Sequence, residues 1–364
     1  MNRILITPLD WGLGHATRCI PIIRELLRRG CTVFIAGNGD SLGLLKNEFP
    51  LLTYFNLPGY NPVYSSNGRM VMKIASQIPK FIAAINQEHS IVESVIRTNR
   101  IDLVISDNRY GCWSAHVHSI FITHQLKIQS PNGFRWLSGL LTYINSHLIG
   151  KFTTCWVPDF PDKENNLSGE LSAPDKMENR RVAYIGPLSR FYFTNGTVAK
   201  YDVACILSGP EPQRSIFEGK VAEQLKASGL RYLVVRGVVG KISSALPQSV
   251  SFLNSKDLQD VISKSSLIIA RSGYSTIMDL VALRKNAVVV PTPGQTEQEY
   301  LAERWSKRGV LQSMAQDNFN LQKALRESGR FTGFKNAPGD SGDLFTSELD
   351  RVLTANISSP LFAS

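Results

Sequence analysis

Short apolar runs rich in β-branched residues alternate along this chain with segments of helical apolar spacing. That alternation is the strongest constraint on what the chain can fold into. "RILIT" is followed by "TRCIPIIRELLRRG", whose apolar residues fall three and four apart and which stops at Gly30. "TVFIAG" is the next strand. Residues 57–68 are rich in Pro, Gly, Asn and Ser and read as a loop, and residues 70–97 read as largely helical, with Pro79 breaking or kinking them. "DLVIS", "SIFIT", "TCWVP" and "VAYIG" are further buried strands, with a polar surface excursion over residues 159–179. Strand–helix–strand order of this kind predicts an α/β fold, a parallel sheet with helices on both faces.

Residues 187–200, "PLSRFYFTNGTVAK", have no period and carry Pro, Gly and Asn. After them the same grammar restarts. "DVACILSG", "RYLVVRG", "LIIARSG" and "NAVVVP" are strands, and residues 213–227, "LQDVISKSS" and "STIMDLVALRK" are helices. A chain of 364 residues exceeds what one hydrophobic core usually serves. The expectation is two Rossmann-like domains, 1–186 and 201–364, joined by a linker at 187–200. Ligands of open α/β sheets bind outside the strand C-terminal ends, so two such domains are expected to face each other across a cleft. The last helix-like segment, "GDLFTSELDRVLTANI", fits on either domain.

Composition narrows the function classes. The five cysteines are odd in number, dispersed and never in CxxC spacing, which suits buried residues of a reducing compartment. The six histidines form no HExxH or comparable metal pattern. Net charge is +10, but no run of five Lys/Arg exists, which argues against nucleic acid and leaves anionic membrane or phosphorylated ligands. No apolar run approaches the roughly 20 residues of a bilayer span. The opening "MNRILITPLD" meets Asp10 too early for a signal-peptide core, so a cytoplasmic protein is expected.

Two glycine turns carry the chemistry. "PLDWGLGHATR" follows the first strand and holds Gly12, Gly14 and His15. A dinucleotide fingerprint would need a third glycine and an acid at the end of the second strand, where Gly37 stands, so a nicotinamide or flavin site is disfavoured. What remains is a tight turn above a helix N-terminus, with a histidine suited to general-base work or simply to packing at a helix start. "ARSGYSTIMDLVALRKNAVVVPTPGQTEQEY" offers a second strand–turn–helix, in which Arg271, Ser272 and Gly273 precede a helix start able to take a phosphate. Asp107, in "SDNRYG", and His124, in "THQ", each follow a strand and are candidates for the same ligand edge. Residues 134–152, "FRWLSGLLTYINSHLIGKF", read either as an ordinary buried helix or as a basic amphipathic one, with Arg135 and Lys151, that touches a membrane surface.

The second cluster resembles the C-terminal domain of GT-B glycosyltransferases, near the peptidoglycan N-acetylglucosaminyltransferase that makes lipid II and its relatives in glycosyltransferase family 28. Their pattern is R-S-G-x-x-T-(x)2-E/D, an apolar strand, Pro, then a loop ending Q/E-Q/E-Y. The GxGH loop resembles their N-terminal glycine loop. The resemblance implies a nucleotide-sugar donor, UDP-linked by family habit, held mainly by the second domain. Asp279, where Glu is commoner, takes the ribose-binding position. Arg271, Ser272, Gly273 and Thr276 match the phosphate-side turn, Gln298 and Glu299 the sugar-contacting pair, and Phe252 the segment whose backbone reads the base. A second Gln is the family's choice where Glu299 stands, which leaves the sugar open. Ser208, Gly209 and Arg214 match a further donor loop, although Pro210 and Pro212 replace its small residues. Gly14 lets the backbone approach the donor.

The implied enzyme is an inverting hexosyltransferase without metal or cofactor, since no D-x-D motif is present. His15 is its base, Asp107 orients His15, and His124 lies on the acceptor side. The acceptor is a glycan, a lipid-linked sugar of the cell envelope or a small molecule, reached in the cytoplasm or at the inner membrane face. An epimerase of the same fold and a non-catalytic nucleotide-sugar-binding protein are the alternatives.

Overall fold

Every strand pairing among the described residues is parallel, as the alternation of strand and helix demands. The computed structural model describes residues 2–60, 77–129, 137–162, 164–173, 182–194, 198–238, 246–335 and 342–357. The chain divides into two units, Met1–Leu188 with Pro338–Ser364, and Ser189–Ala337. Among the described residues no helix is long and apolar enough to cross a membrane.

The first unit runs β1 (Arg3–Pro8), α1 (Gly14–Arg28), β2 (Thr32–Gly37), α2 (Gly39–Glu48), β3 (Thr53–Asn56), α3 (Ile78–Asn99), β4 (Leu103–Asp107), β5 (His118–Ile122), α4 (Leu137–Ile149), β6 (Thr154–Val157) and β7 (Val182–Tyr184). Its sheet order is β3-β2-β1-β4-β5-β6-β7. Leu5, Phe34 and Val104 of the sheet pack with Val92, Val95 and Ile96 of α3. The second unit runs β8 (Tyr201–Ile206), α5 (Gln213–Lys226), β9 (Tyr232–Val235), β10 (Ser249–Val250), α6 (Ser255–Ser263), β11 (Ser265–Ala270), α7 (Tyr274–Ala282), β12 (Ala287–Val289), α8 (Thr296–Lys307), β13 (Gln312–Ser313) and α9 (Leu321–Glu327), with sheet order β10-β9-β8-β11-β12-β13.

Four expectations change. The closing helix, α10 (Gly342–Ile357), sits with the first unit and not with residues 201–337: Trp156 Nε1 donates to Glu348 Oε1 at 3.0 Å, Phe345 meets the Trp156 ring edge-on, and Arg29 pairs with Asp350. The first part of the expected linker at 187–200, residues 187–191, is packed structure, while residues 192–194 and 198–200 are exposed. Leu188 and Phe191 are buried, and the second unit takes the chain up from Ser189; residues 195–197 lie outside the described set. Part of the polar stretch, Asn166 to Ser168 with Leu171 and Ser172, folds inward around the buried Asp159 carboxylate, while Asp162, Glu164, Asn165 and Glu170 stay exposed. That carboxylate accepts from the backbone N–H of Phe160, Leu167 and Ser168 and from the Ser168 and Ser172 hydroxyls, so polar sequence is buried because its donors are satisfied. Pro79 starts α3 instead of kinking it, in the first turn where its missing N–H costs nothing; residues 61–76 lie outside the described set.

Under the loops at the C-terminal edge of the first sheet lies a buried ion pair. Glu88 faces inward from α3 and accepts from Arg109 and from the Tyr60 hydroxyl, while Arg109 also donates to Pro8 O, Pro58 O and Asn38 Oδ1. Both side chains of the pair are fully buried. The pair joins the ends of β1, β2 and β4 and so sets the loops that follow them. Glu88→Leu leaves the guanidinium without its counter-charge and is expected to lower unfolding free energy by about 3–5 kcal/mol. Removing the exposed Lys307–Glu303 pair changes it by under about 1 kcal/mol. Urea unfolding of the two variants beside the parent checks the contrast.

Candidate active site

Each sheet reverses its winding direction once. In the first, β2 and β3 extend to one side of β1 while β5, β6 and β7 extend to the other side of β4. Loops that leave adjacent strands in opposite directions open a crevice at that point, and ligands of open α/β sheets bind there. The GLGH turn follows β1 and Asp107 ends β4, so the two sequence-selected catalytic residues flank the reversal. The register pairs Pro8 with Asp107, and Leu9 N donates to Asp107 O at 3.0 Å.

His15 lies in the first turn of α1, its side chain 16% exposed, with Nδ1 at 2.7 Å from Oδ1 of the fully buried Asp107. Arg18, one turn further along α1, grips both Asp107 oxygens through Nε and Nη2. Its Nη2 also stands 2.8 Å from His15 Nδ1, and its Nη1 stands 3.4 Å from His124 Nδ1. His124 is therefore part of this cluster and buried in it. Burial alone would raise the Asp107 carboxyl, but the Arg18 and His15 charges and hydrogen bonds outweigh it and hold the group below the usual carboxylate value. Burial lowers the His15 pKa from its ordinary 6.5, the Arg18 charge adds to that, and Asp107 pulls the other way. Gly14 opens the helix. No side chain caps α1, and its first turn carries no acid.

The second sheet reverses between β8 and β11. Ser208 and Gly209 follow β8, Arg271, Ser272 and Gly273 follow β11, and Phe252, half-buried, follows β10. Gly209 has φ +99°, and a Cβ on it would come within 3.4 Å of Thr292 Oγ1. That hydroxyl is buried and has no hydrogen-bond partner among the described residues. Gly273 precedes α7 at an ordinary φ of −63°, and a Cβ there would meet nothing within 4 Å. The glycine therefore leaves room beside a helix start that has no side-chain cap and no acid in its first turn. Thr276 lies in that first turn. Asp279, a turn later, accepts from the Ser189 hydroxyl at 2.6 Å, and burial pushes its carboxyl up to about 6 against the lowering effects of Arg190 and Ser189.

Several expected ligand residues are engaged by the protein itself. Arg271 is buried. It donates to Val290 O, Pro291 O, Gln213 O and Gln316 Oε1, and its guanidinium lies 4.5 Å from the Phe217 ring centre. Its job is to tie the ends of β11 and β12 to the start of α5, and burial lowers its pKa to about 10. Arg214 is paired with Glu211 and Glu218, and Glu218 also holds Arg236. The Ser272 hydroxyl donates to Gln298 O at 2.7 Å, which leaves backbone as that turn's means of meeting a phosphate. Gln298 is buried and braces its own loop through Thr292 N, at 2.9 Å. Glu299 is exposed and accepts from Gly294 N at 2.9 Å.

Arg18, Ser189, Arg190 and Thr292 were absent from the sequence-selected set. Arg18 had a signal, its place three residues after His15 on the same helix face. Ser189 and Arg190 sat in what looked like linker.

Residues 222–334 match the glycosyltransferase family 28 C-terminal domain. An uncharacterized glycosyltransferase of Methanosarcina acetivorans is 23% identical over 312 residues, 82% of this chain and 81% of the relative. A UDP-N-acetylglucosamine–N-acetylmuramyl-(pentapeptide) pyrophosphoryl-undecaprenol N-acetylglucosamine transferase of Bacillus cereus is 21% identical, covering 89% of each chain. Among solved structures, the glycotransferase of kitacinnamycin superposes with TM-score 0.63 at 16% identity, over 97% of this chain and 99% of that one. The glycosyltransferase VinC in complex with dTDP gives 0.59 at 14%, over 98% and 100%. The relatives favour transfer over the epimerase alternative. With its two parallel sheets and these matches, the chain is a glycosyltransferase of the GT-B fold, resembling the family 28 transferases.

Proposed function

We propose that the protein moves a hexose or N-acetylhexosamine from a UDP-sugar to an acceptor hydroxyl, with inversion and without a metal ion. The observation that carries this reading is the His15 Nδ1–Asp107 Oδ1 contact of 2.7 Å at the strand reversal of the first unit. A carboxylate on Nδ1 turns the opposite ring nitrogen, Nε2, into the base. In the proposed step His15 Nε2 takes the acceptor's hydroxyl proton, the oxygen bonds to the anomeric carbon, and the bond from that carbon to the diphosphate breaks. One displacement inverts the anomeric centre.

The leaving diphosphate gains charge as it departs. In this reading the start of α7, beside Gly273 and Thr276, receives it through backbone N–H groups and the helix dipole. The cation expected there, Arg214, is already neutralised by two carboxylates. Asp279 accepts from the ribose hydroxyls, Phe252 marks the base-reading segment, and the Thr292 hydroxyl and the Gln298–Glu299 loop face the sugar. UDP is favoured by likeness to the Bacillus cereus UDP-N-acetylglucosamine transferase, whereas the VinC structure holds dTDP.

The acceptor in this reading has an apolar part. Leu140, Tyr143 and Ile144 on α4 are 54%, 71% and 46% exposed, and Ile78, Ile82 and Trp11 add apolar surface at the start of α3 and beside the GLGH turn. The apolar face of α4 supports the amphipathic reading of residues 134–152, and with it peripheral contact with an anionic membrane; Arg135 lies outside the described residues.

Three measurements test the proposal. His15→Ala is expected to cut kcat by about 10²–10⁴-fold while calorimetric UDP binding stays intact, and unchanged kcat sinks the base assignment. Asp279 is raised in the folded state, so its contribution to stability is full below about pH 4 and is lost as pH rises through about 6. Asp279→Asn should then be more stable than the parent at pH 8, by up to about 3 kcal/mol, and equal to it near pH 4. Its UDP affinity should nonetheless be lower, and the parent's affinity should fall as pH drops below about 6. Leu140→Asp/Ile144→Asp should lose sedimentation with vesicles containing phosphatidylglycerol and keep its kcat on a soluble acceptor; co-sedimentation equal to the parent's would remove the membrane contact.

A further inference from the structure

Arg18 stands among all the partners of His15. Its side chain is 3% exposed, and it touches Asp107, His15 and His124 at once. A guanidinium can only donate. His15 Nδ1 therefore faces an acceptor at 2.7 Å and a donor at 2.8 Å. With its proton on Nδ1 the ring bonds to Asp107 and offers Nε2 as a base, but sets N–H against N–H at Arg18. With its proton on Nε2 the ring accepts from Arg18 and offers no base. A doubly protonated ring sets two cations against one carboxylate. Without Arg18 the ring and Asp107 would form a simple imidazolium–carboxylate pair, which favours the protonated ring and so leaves less free base below neutral pH.

The groups that face the ring complete the account. Asp107 comes from the end of β4, His124 from the loop after β5, and Arg18 and Cys19 from α1. The Cys19 thiol lies 3.9 Å from Asp107, and burial pushes it well above its ordinary value, so it adds no charge. Arg18 Nη1 stands 3.4 Å from His124 Nδ1, and His124, like Arg18, lowers the His15 pKa. One carboxylate and one guanidinium thus face the His15 ring, together with His124.

We propose that Arg18 is a positioning residue for His15: by sharing Asp107 it withholds the carboxylate's full charge from the ring, which stays a free base until the acceptor hydroxyl attacks. The inference rests on the reading of His15 as base. The proton leaves the acceptor oxygen for Nε2, the oxygen–carbon bond forms as the carbon–diphosphate bond breaks, and the electron pair departs with the nucleotide. The new imidazolium, beside Arg18, then gives its proton to solvent.

The test is a ¹H–¹⁵N titration of the histidine rings in the parent and in Arg18→Met, with the His15 signal identified by its loss in His15→Gln, alongside pH profiles of kcat/KM. The parent ring should titrate below its ordinary 6.5. In Arg18→Met the midpoint should rise, and the acid limb of kcat/KM should rise with it. At pH 6 kcat/KM then falls about tenfold against the parent and recovers by pH 9. Arg18→Lys, which keeps the charge and loses the fork, should lie between the two. A parent midpoint at or above 6.5 overturns the proposal, and that result needs no variant to fold. So does an Arg18→Met that loses rate equally at every pH with an unmoved midpoint. Failure of the base reading has a different signature, namely full activity in His15→Ala.

Discussion

The parallel pairing of β1 with β4 is the constraint on which the rest of the first unit depends. Its register sets Pro8 opposite Asp107, and the Leu9 N–H closes on the Asp107 carbonyl. A slip of one residue would turn Asp107 to the other face of the sheet and take the carboxylate away from α1. With the register held, an ionised carboxylate lies fully buried at a strand end, and such a charge persists only if it is paired and hydrogen-bonded. Helix α1 supplies both partners from one turn, His15 and Arg18. The same requirement shapes the layer beneath, where Glu88 pairs with Arg109 and fixes the ends of β1, β2 and β4 around it. Gly39 shows how closely the neighbouring loops are drawn. Its φ of +56° is one that side chains rarely adopt, and a Cβ would run into the Asp10 carboxylate, which accepts from Ser41 N at 3.0 Å.

The second unit repeats the strand logic but distributes charge differently. Arg271, conspicuous in the sequence, spends its donors on carbonyls at the C-terminal edge of its own sheet. Arg214 and Arg236 share Glu218. The Ser272 hydroxyl ties its turn to the Gln298 carbonyl, and the Gln298 side chain braces its own loop at Thr292 N. Side chains that invited a reading as ligand contacts therefore set the shape of a frame, and the open feature of that frame is the glycine at the start of α7.

The alternation of strands and helices was legible because both periods are short and are expressed in apolar residues, which burial sorts reliably. His15 and Asp107 were legible for a topological reason: residues just after β1 and at the end of β4 must lie at the reversal of the sheet. Partnership within the site was less legible. Arg271 and Arg214 look like phosphate ligands because of where they fall in the sequence. Whether a cation is available depends on which carboxylates and carbonyls come to it: Gln316 reaches Arg271 through tertiary folding, whereas Glu211 and Glu218 lie three residues before and four after Arg214 and were a local signal that went unread. Ser189 and Arg190 failed as signals for the opposite reason, since an aperiodic stretch with Pro and Gly reads as linker whether or not it packs. Asp159 misled in the same way. A polar run looks solvated until its one carboxylate collects the backbone donors around it.

The proposed chemistry gives these two charge arrangements a common sense. A base that must be unprotonated at rest and protonated in the transition state gains from a partner carboxylate only in the second state, because catalysis rewards interactions that strengthen as the reaction proceeds. Asp107 alone would stabilise the imidazolium in both. Arg18, a fixed charge, weakens that attraction in both states, and what it secures is the neutral ring at rest. On the proposed donor side the developing charge is on the diphosphate. A free guanidinium there would also attract the intact donor and product, binding ground state and transition state alike. Helix N–H groups fixed by the fold need little reorganisation as the carbon–oxygen bond breaks. The net charge of +10 therefore need not act at the reacting atoms. In the first unit Arg18 is committed to Asp107, and in the second Arg214 and Arg271 are committed to carboxylates and carbonyls.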